Sequence, residues 1–306
     1  MKKFLRLTAL LMALCLMLCG TACGGDPSTP TGVDPSDDPS LDEPLDPATA
    51  TPEELLKALQ KAMLEKTLAA RQDNSDTIGW LYLDGTTIDD AVVKTSYNDN
   101  NQYYLRRNAK GESDYYGCYY ADWRCSSGNR DFLSKNTVIY GHSMSEDPDG
   151  VKFSQLKKYL HSDFAKTHPY IYFSTIEEDM VWEIFAVFYT DIQFDYINPN
   201  PAASAYTGLI EKAKSLSIYD YGIDVTGTDK ILTLSTCTYQ LPNGTKLSYP
   251  NNYRYVVMAK LVDAGTELKE EASLTVVAKN APKDVDEPSL PAAEQAADPA
   301  SASTAA

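Results

Sequence analysis

From Ile78 onward the chain is written in short apolar, β-branched and aromatic runs punctuated by Gly, Asn, Asp and Pro, which is the pattern of strands and turns. The pattern predicts strands over Ile78–Leu83, Ile88–Val93, Gln102–Leu105, Tyr116–Ala121, Thr137–Tyr140, Tyr170–Phe173, Val181–Tyr189, Ile231–Ser235 and Tyr253–Val262. Two stretches switch to helical spacing. Val151–Leu160 places Phe153, Leu156 and Leu160 on one side, and Ala203–Leu216 does the same with Tyr206, Leu209, Ile210, Ala213 and Leu216. Ahead of the strands, Thr51 as N-cap, Pro52 at the first helical position and Glu54 completing a capping box open a helix that ends before Asn74. Its stripe of Leu55, Leu56, Leu59, Met63 and Leu68 is expected to pack on the domain that follows. Many strands with few helices predict a mainly β fold, a single closed barrel of about eight strands, carrying an N-terminal helix and a helix-bearing insertion between Tyr189 and Lys230.

The ends differ from this middle. Residues 1–23 place Lys2, Lys3 and Arg6 before an apolar stretch from Leu7 to Leu18, then Gly20, Thr21 and Ala22 before Cys23, the pattern of an export signal. Small residues directly before Cys23 resemble a bacterial lipoprotein signal, which makes Cys23 the lipidation candidate. A plain cleaved signal or an uncleaved anchor are the other readings, and all three export the chain. Residues 24–50 are rich in Pro and Asp with no aromatic residue, as expected of an extended, disordered spacer. The folded domain is expected over 75–264 after the helix of 51–74, and residues 265–306 are expected to be a largely disordered tail.

Charge follows the same division. Of the net −16, residues 24–50 contribute −7 and residues 283–306 contribute −4, so the middle is only mildly acidic. That balance argues against an electrostatically driven nucleic-acid binder. Six cysteines add a further bound: with Cys15, Cys19 and Cys23 in the leader, Cys118, Cys125 and Cys237 remain, an odd number in an exported domain. A Cys118–Cys125 bridge requires a turn near Trp123, because an extended stretch would hold the two Cα atoms too far apart.

Three reactive side chains sit at the ends of apolar strands. His142 follows Asn136-Thr137-Val138-Ile139-Tyr140-Gly141, Cys237 closes Ile231-Leu232-Thr233-Leu234-Ser235-Thr236, and Arg254 opens Arg254-Tyr255-Val256-Val257-Met258-Ala259. Taken singly, each has an ordinary structural explanation. Together they supply a thiol nucleophile, a proton donor for a leaving group and a cation for a developing oxyanion.

At these residues the chain resembles the sortases. Thr233-Leu234-Ser235-Thr236-Cys237 is similar to the sortase active-site signature, Val138-Ile139-Tyr140-Gly141-His142 to the strand carrying the sortase His, and Arg254-Tyr255-Val256-Val257 to the strand carrying the sortase Arg, 17 residues beyond the Cys. Ile78-Gly79-Trp80-Leu81, Tyr103-Tyr104-Leu105 and Gly117 to Asp122 follow in the expected order, so the resemblance covers most of residues 75–263. The N-terminal helix and the long insertion point to class B. The resemblance implies a cysteine transpeptidase in which the Cys237 thiolate attacks a Thr carbonyl in a C-terminal sorting motif. His142 then protonates the departing amine and Arg254 steadies substrate and oxyanion. The acyl group passes to an amine of a peptidoglycan precursor, a pilin or another protein. Thr236 and Thr238 are secondary oxyanion or substrate candidates, and no metal or cofactor is implied. Cys118 and Cys125 stand where family members often carry uncharged polar residues. The competing readings are an inactive exported lipoprotein that binds a cell-wall ligand, and another cell-wall cysteine enzyme. Papain-like enzymes place Cys before His, whereas His142 precedes Cys237 by 95 residues. Leu241-Pro242-Asn243-Gly244-Thr245, a superficial echo of a sorting motif, reads as a turn. His161 and His168 read as surface residues.

Overall fold

The computed structural model describes residues 46, 49–95, 101–241, 243–247 and 252–281. The export signal with Cys23 and the spacer lie outside the described residues, save a few positions at the spacer's end. The chain divides into two units, Met1–Lys66 and Thr67–Ala306. The boundary falls inside helix α1 (Pro52–Asp73). The start of α1 is the capping box read from the sequence. The Glu54 carboxylate accepts from Thr51 N–H at 2.7 Å, and Glu54 N–H donates to Thr51 Oγ1 at 3.2 Å.

The second unit is an eight-stranded closed barrel. Its strands are β1 (Thr77–Tyr82), β2 (Asp89–Val93), β3 (Tyr119–Ala121), β4 (Asn136–Tyr140), β5 (Tyr170–Thr175), β6 (Val181–Asp191), β8 (Ile231–Cys237) and β9 (Tyr253–Leu261). They close in the order β1-β2-β3-β4-β8-β9-β6-β5, with β5 returning to β1. Two pairs, β2 with β3 and β4 with β8, are parallel and the rest antiparallel. A parallel pair cannot be joined by a hairpin. The β4-to-β8 crossover therefore takes up residues 141–230, which hold the 3₁₀ helix Phe153–Leu160, helix α2 (Ser162–Thr167), β5, β6, helix α3 (Ala203–Leu216) and the short strand β7 (Tyr219–Asp220).

Alternation along each strand divides two apolar clusters. Leu81, Val92, Ile139, Trp182, Ile184, Leu232, Leu234, Tyr255 and Val257 belong to the inner one, joined by Phe153, Leu156 and Tyr159 of the 3₁₀ helix. Phe185, Phe188, Ile231, Val256 and Met258 stand on the outer wall under α3, against Tyr206, Leu209 and Ile210. Burial on both faces is why β4, β6, β8 and β9 read as continuous apolar runs.

Several expectations are corrected. Gln102–Leu105 is a run of turns, with Leu105 N–H donating to Gln102 O at 3.1 Å. Its apolar content comes from covering the barrel's outer wall, where Tyr104 packs on Val93, Cys118 and Tyr120. Tyr116–Ala121 shortens to β3, because Gly117 takes φ +60° in a turn closed by its N–H on Asp114 O. The helix expected from Val151 starts at Phe153 and is 3₁₀. Leu241 to Thr245 does form a turn among its described residues, with Gly244 N–H on Leu241 O at 2.9 Å. Cys118 and Cys125 are buried free thiols and form no bridge. Cys118 lies in the outer Tyr104 cluster, whereas the Cys125 sulfur sits against Val138 N and Asn136 O, so the two face different surroundings.

The segment expected to be a tail is ordered through residue 281 in its described part. Strand β10 (Thr275–Val276) pairs antiparallel with β7. Val277 N–H bonds to Ile218 O at 2.7 Å, and Asn280 Nδ2 bonds to Ser215 O and Ser217 O at 2.9 and 2.8 Å. The residues after α3 offer no glycine cap, and the Asn280 amide satisfies carbonyls at the helix end instead.

Barrel closure rests on a tight approach at Gly79, where a Cβ would lie 2.2 Å from Ser174 O in β5. Gly79→Ala is expected to cost about 1–3 kcal/mol by overpacking, seen as a lower urea midpoint with an unchanged m-value.

Candidate active site

Register assembles the site. In the antiparallel β8–β9 pair, Cys237 lies directly opposite Arg254. In the parallel β4–β8 pair the last partners are Tyr140 and Ser235, and Gly141 N–H continues to Ser235 O at 3.4 Å. Two residues further along each strand are His142 and Cys237. Three strands adjacent in the sheet thus deliver His142, Cys237 and Arg254 to one end of the barrel. Their face follows from alternation: Leu232 and Leu234 point inward, so Thr233, Ser235 and Cys237 point outward, and Arg254 shares the outward face of Val256 and Met258.

Two flanking segments shape this face. On the β3 side, Leu105 O accepts from His142 Nε2 at 2.7 Å, which puts a proton on Nε2 and leaves Nδ1 as the other ring nitrogen for proton exchange. On the insertion side, Tyr196 Oη lies 2.8 Å from Ser235 Oγ, one outward position before Cys237. Burial raises the pKa of the Tyr120 and Tyr196 phenols, Tyr196 to about 12, and the charges of both Cys237 and Arg254 act on each. The two tyrosines therefore lie within electrostatic reach of the thiol and the guanidinium.

Gly141 is forced by packing. A Cβ there would come within 2.7 Å of the Phe153 ring and 2.9 Å of the Tyr119 ring, both core residues. Phe153 N–H bonds to His142 O at 2.8 Å, so the 3₁₀ helix fixes the backbone of the histidine as it leaves the sheet.

Among the described thiols, only Cys237 is partly exposed. Burial pushes the Cys118 and Cys125 thiols up to about 12, which removes both as nucleophiles near neutral pH. Burial also lowers the His142 pKa from its ordinary value. The Leu105 carbonyl opposes this, and the neighbouring Arg106 cation adds to it.

The two secondary candidates are corrected. Thr236 is buried on the inward face with its hydroxyl donating to Gly141 O at 2.7 Å, and Thr238 is fully buried with its hydroxyl held by Glu146 Oε1 and Gln240 O, both at 2.9 Å. Their protons are committed to bracing backbone, and neither hydroxyl faces the thiol's side of the sheet. His161 is exposed and apart from the site, while His168 is half-buried and stacks on Phe164 at 4.0 Å.

Sequence reasoning passed over Asn136, Glu146 and Lys157. Asn136 is buried at the base of β4, donating to Tyr196 O and Asn198 O and accepting from Thr233 Oγ1 at 2.6 Å, which ties the insertion to the wall that carries the site. Lys157 had a signal, since it falls four residues after Phe153 on a face that the pattern predicts to be buried.

The comparisons identify the family to which these strands belong. Residues 124–262, which include His142, Cys237 and Arg254, match the family described as Sortase domain. The chain is 37% identical over 190 residues to Sortase B of Listeria monocytogenes, covering 62% of this chain and 71% of that protein. In structure it is similar to Clostridium perfringens sortase B, with a TM-score of 0.53, 28% identity and coverage of 64% of this chain and 99% of that one. It also shares its fold with a Staphylococcus aureus sortase B-substrate complex, with a TM-score of 0.56, 24% identity and coverage of 69% and 92%.

The His142 imidazole is expected to titrate below 6.5, and Arg106→Gln is expected to move its midpoint upward by removing a cation that opposes protonation. Histidine NMR titration of the folded protein measures both. Since the unfolded chain binds this proton more tightly than the folded one, His142 subtracts stability as pH falls below 6.5.

Proposed function

Because the chain belongs to the sortase B family of cysteine transpeptidases, we propose that Cys237 is its nucleophile, His142 its acid–base group and Arg254 its substrate-orienting cation. The observation that carries this reading is the placement of Cys237 between Arg254 in β9 and the end of β4 that bears His142, on one outward face. The Cys237 thiolate attacks the carbonyl carbon of a Thr in a C-terminal sorting motif of an exported protein. As the C–N bond breaks, the imidazolium Nδ1 proton passes to the departing amine, leaving a Cys237 thioester and neutral His142. An incoming amine from a cell-wall precursor or another protein then attacks the thioester and gives its proton to Nδ1. The new amide forms and the thiolate leaves. Arg254 supplies positive charge where the carbonyl oxygen becomes negative.

Burial of His142 suits this cycle. It keeps the ring a weak enough base to release its proton to the leaving amine, while the Leu105 carbonyl fixes the tautomer. The alternative, an inactive exported protein that binds a cell-wall ligand, is not favoured, since the thiol, imidazole and guanidinium stand on neighbouring strands of one face. The same reading places the enzyme on the outer side of the membrane, held by a lipidated Cys23 or an uncleaved N-terminal segment, with the Pro- and Asp-rich residues 24–50 as spacer.

Cys237→Ala is expected to lower cleavage of sorting-motif peptides on the order of a thousandfold or more. A screen of a randomised five-residue peptide library by mass spectrometry supplies the substrate, and full activity in the variant would sink the nucleophile assignment. The rate in the wild-type enzyme is expected to be bell-shaped in pH, because thiolate and imidazolium must coexist. Mass spectrometry of the N-terminal peptide from cells tests the anchor: a diacylglyceryl adduct on Cys23 or an uncleaved N-terminus is expected, and a cleaved N-terminus without lipid would count against it.

A further inference from the structure

Directly behind the nucleophile lies a half-buried ion pair that the transfer chemistry does not use. Lys157, from the 3₁₀ helix, has no exposed side-chain surface, and its Nζ lies 3.1 Å from Glu146 Oε2 and 3.2 Å from Oε1. The same ammonium reaches Cys237 O at 3.5 Å and sits 5.2 Å from the centroid of the Tyr255 ring inside the barrel. Glu146 faces the other way as well. Its Oε1 accepts from the Thr238 hydroxyl at 2.9 Å and from Tyr239 N–H, the two residues that follow Cys237. Thr238 closes the arrangement, with its hydroxyl also meeting Gln240 O at 2.9 Å and Gln240 N at 3.3 Å.

We propose that Lys157 and Glu146 are positioning residues for the transpeptidation reaction: together they clamp the backbone of Cys237, Thr238 and Tyr239 and so fix where the thiol stands relative to His142 and Arg254. The proposal rests on the reading of Cys237 as nucleophile. Three observations carry it. The pair grips Cys237 at its own carbonyl and the next two residues at side chain and N–H, so β8 is held at the point where its ladder with β4 ends. Glu146 and Lys157 arrive on the segment that begins at His142, four and fifteen residues beyond it. The clamp thus ties the histidine's segment to the cysteine's turn. Finally, an ion pair with one partner fully buried is a poor source of stability, since replacing such a pair by apolar residues of similar volume is often neutral. Burial pushes the Lys157 ammonium down, Glu146 pulls it back up, and the Cys237 charge acts in the same direction as Glu146. Because Glu146 largely offsets the ammonium, the effect on the thiol runs through geometry rather than through net charge.

Two double variants of the full chain test this. Lys157→Met with Glu146→Leu removes the clamp while keeping the site filled. Lys157→Gln with Glu146→Gln removes the charges but keeps an amide donor toward Cys237 O and restores an amide oxygen for Tyr239 N–H and the Thr238 hydroxyl. The first is expected to keep its melting temperature within a few degrees yet lose about tenfold or more in kcat, with KM little changed, because small misplacements of a reacting atom are costly. It is also expected to slow alkylation of Cys237 by iodoacetamide, read by peptide mapping, which needs no substrate. The second is expected to recover most of both rates. Folded Met/Leu protein with kcat and alkylation within twofold of wild type would overturn the proposal, as would a Gln variant as impaired as the Leu one. Cys237→Ala serves as the separate control: activity surviving in that variant would remove the nucleophile reading itself, whatever the clamp variants do.

Discussion

The parallel pairing of Asn136–Tyr140 with Ile231–Ser235 is the constraint on which the site depends. A slip of one residue in that ladder would turn Cys237 from the outward face to the barrel interior and carry it out of line with His142. The register is protected twice. On the inner side Ile139, Leu232 and Leu234 fill the barrel, and on the outer side Asn136 locks to Thr233 across the strand pair. The antiparallel β9 then adds Arg254 opposite Cys237 without further adjustment. Three reactive groups that are far apart in sequence are thereby placed by main-chain hydrogen bonding rather than by flexible loops.

Several polar groups around this ladder are held by partners, although the buried Thr137 and Tyr255 hydroxyls find none among the described residues. Asn136 uses both ends of its amide, the Thr236 and Thr238 hydroxyls are spent on backbone and carboxylate, and Lys157 is enclosed by Glu146, the Cys237 carbonyl and the Tyr255 face. A buried polar group without partners is costly, so each of these contacts restricts the backbone to one arrangement. The reactive groups stand outside this braced shell: Cys237 retains exposure, and His142 retains a second ring nitrogen beyond its bond to Leu105. Rigidity and reactivity are thus divided along the strands, with braced polar groups in their bodies and the reactive groups at their ends.

Much of this was legible in the chain. The long doubly buried strands announced themselves as apolar runs, α3 fell over Ala203–Leu216 as its spacing predicts, and the capping box at Thr51 and Glu54 was local chemistry. His142, Cys237 and Arg254 stood out because a strand rarely ends on such residues without cause. What escaped depended on tertiary partners. The Tyr104 segment looks like a strand because it is apolar, yet its apolar side chains cover an outer wall while its backbone turns. Thr236 and Thr238 sit beside the cysteine in sequence, but alternation and a carboxylate brought from residue 146 divert their hydroxyls. The strand at Thr275–Val276 is two residues long, too short for any periodicity to mark.

That short strand and Asn280 give the insertion an unusual dependence. Helix α3 and the turn after it have three carbonyls, of Ser215, Ser217 and Ile218, completed by residues 277–280, up to 65 positions later. The chain emerges from its N-terminus, so the β8–β9 wall, with the cysteine and the arginine, comes out ahead of the insertion's last hydrogen-bond partners. The nucleophile's strand can thus pair before the segment beside it is fully fastened, and the insertion that flanks the thiol is completed by the last ordered residues of the chain that are described.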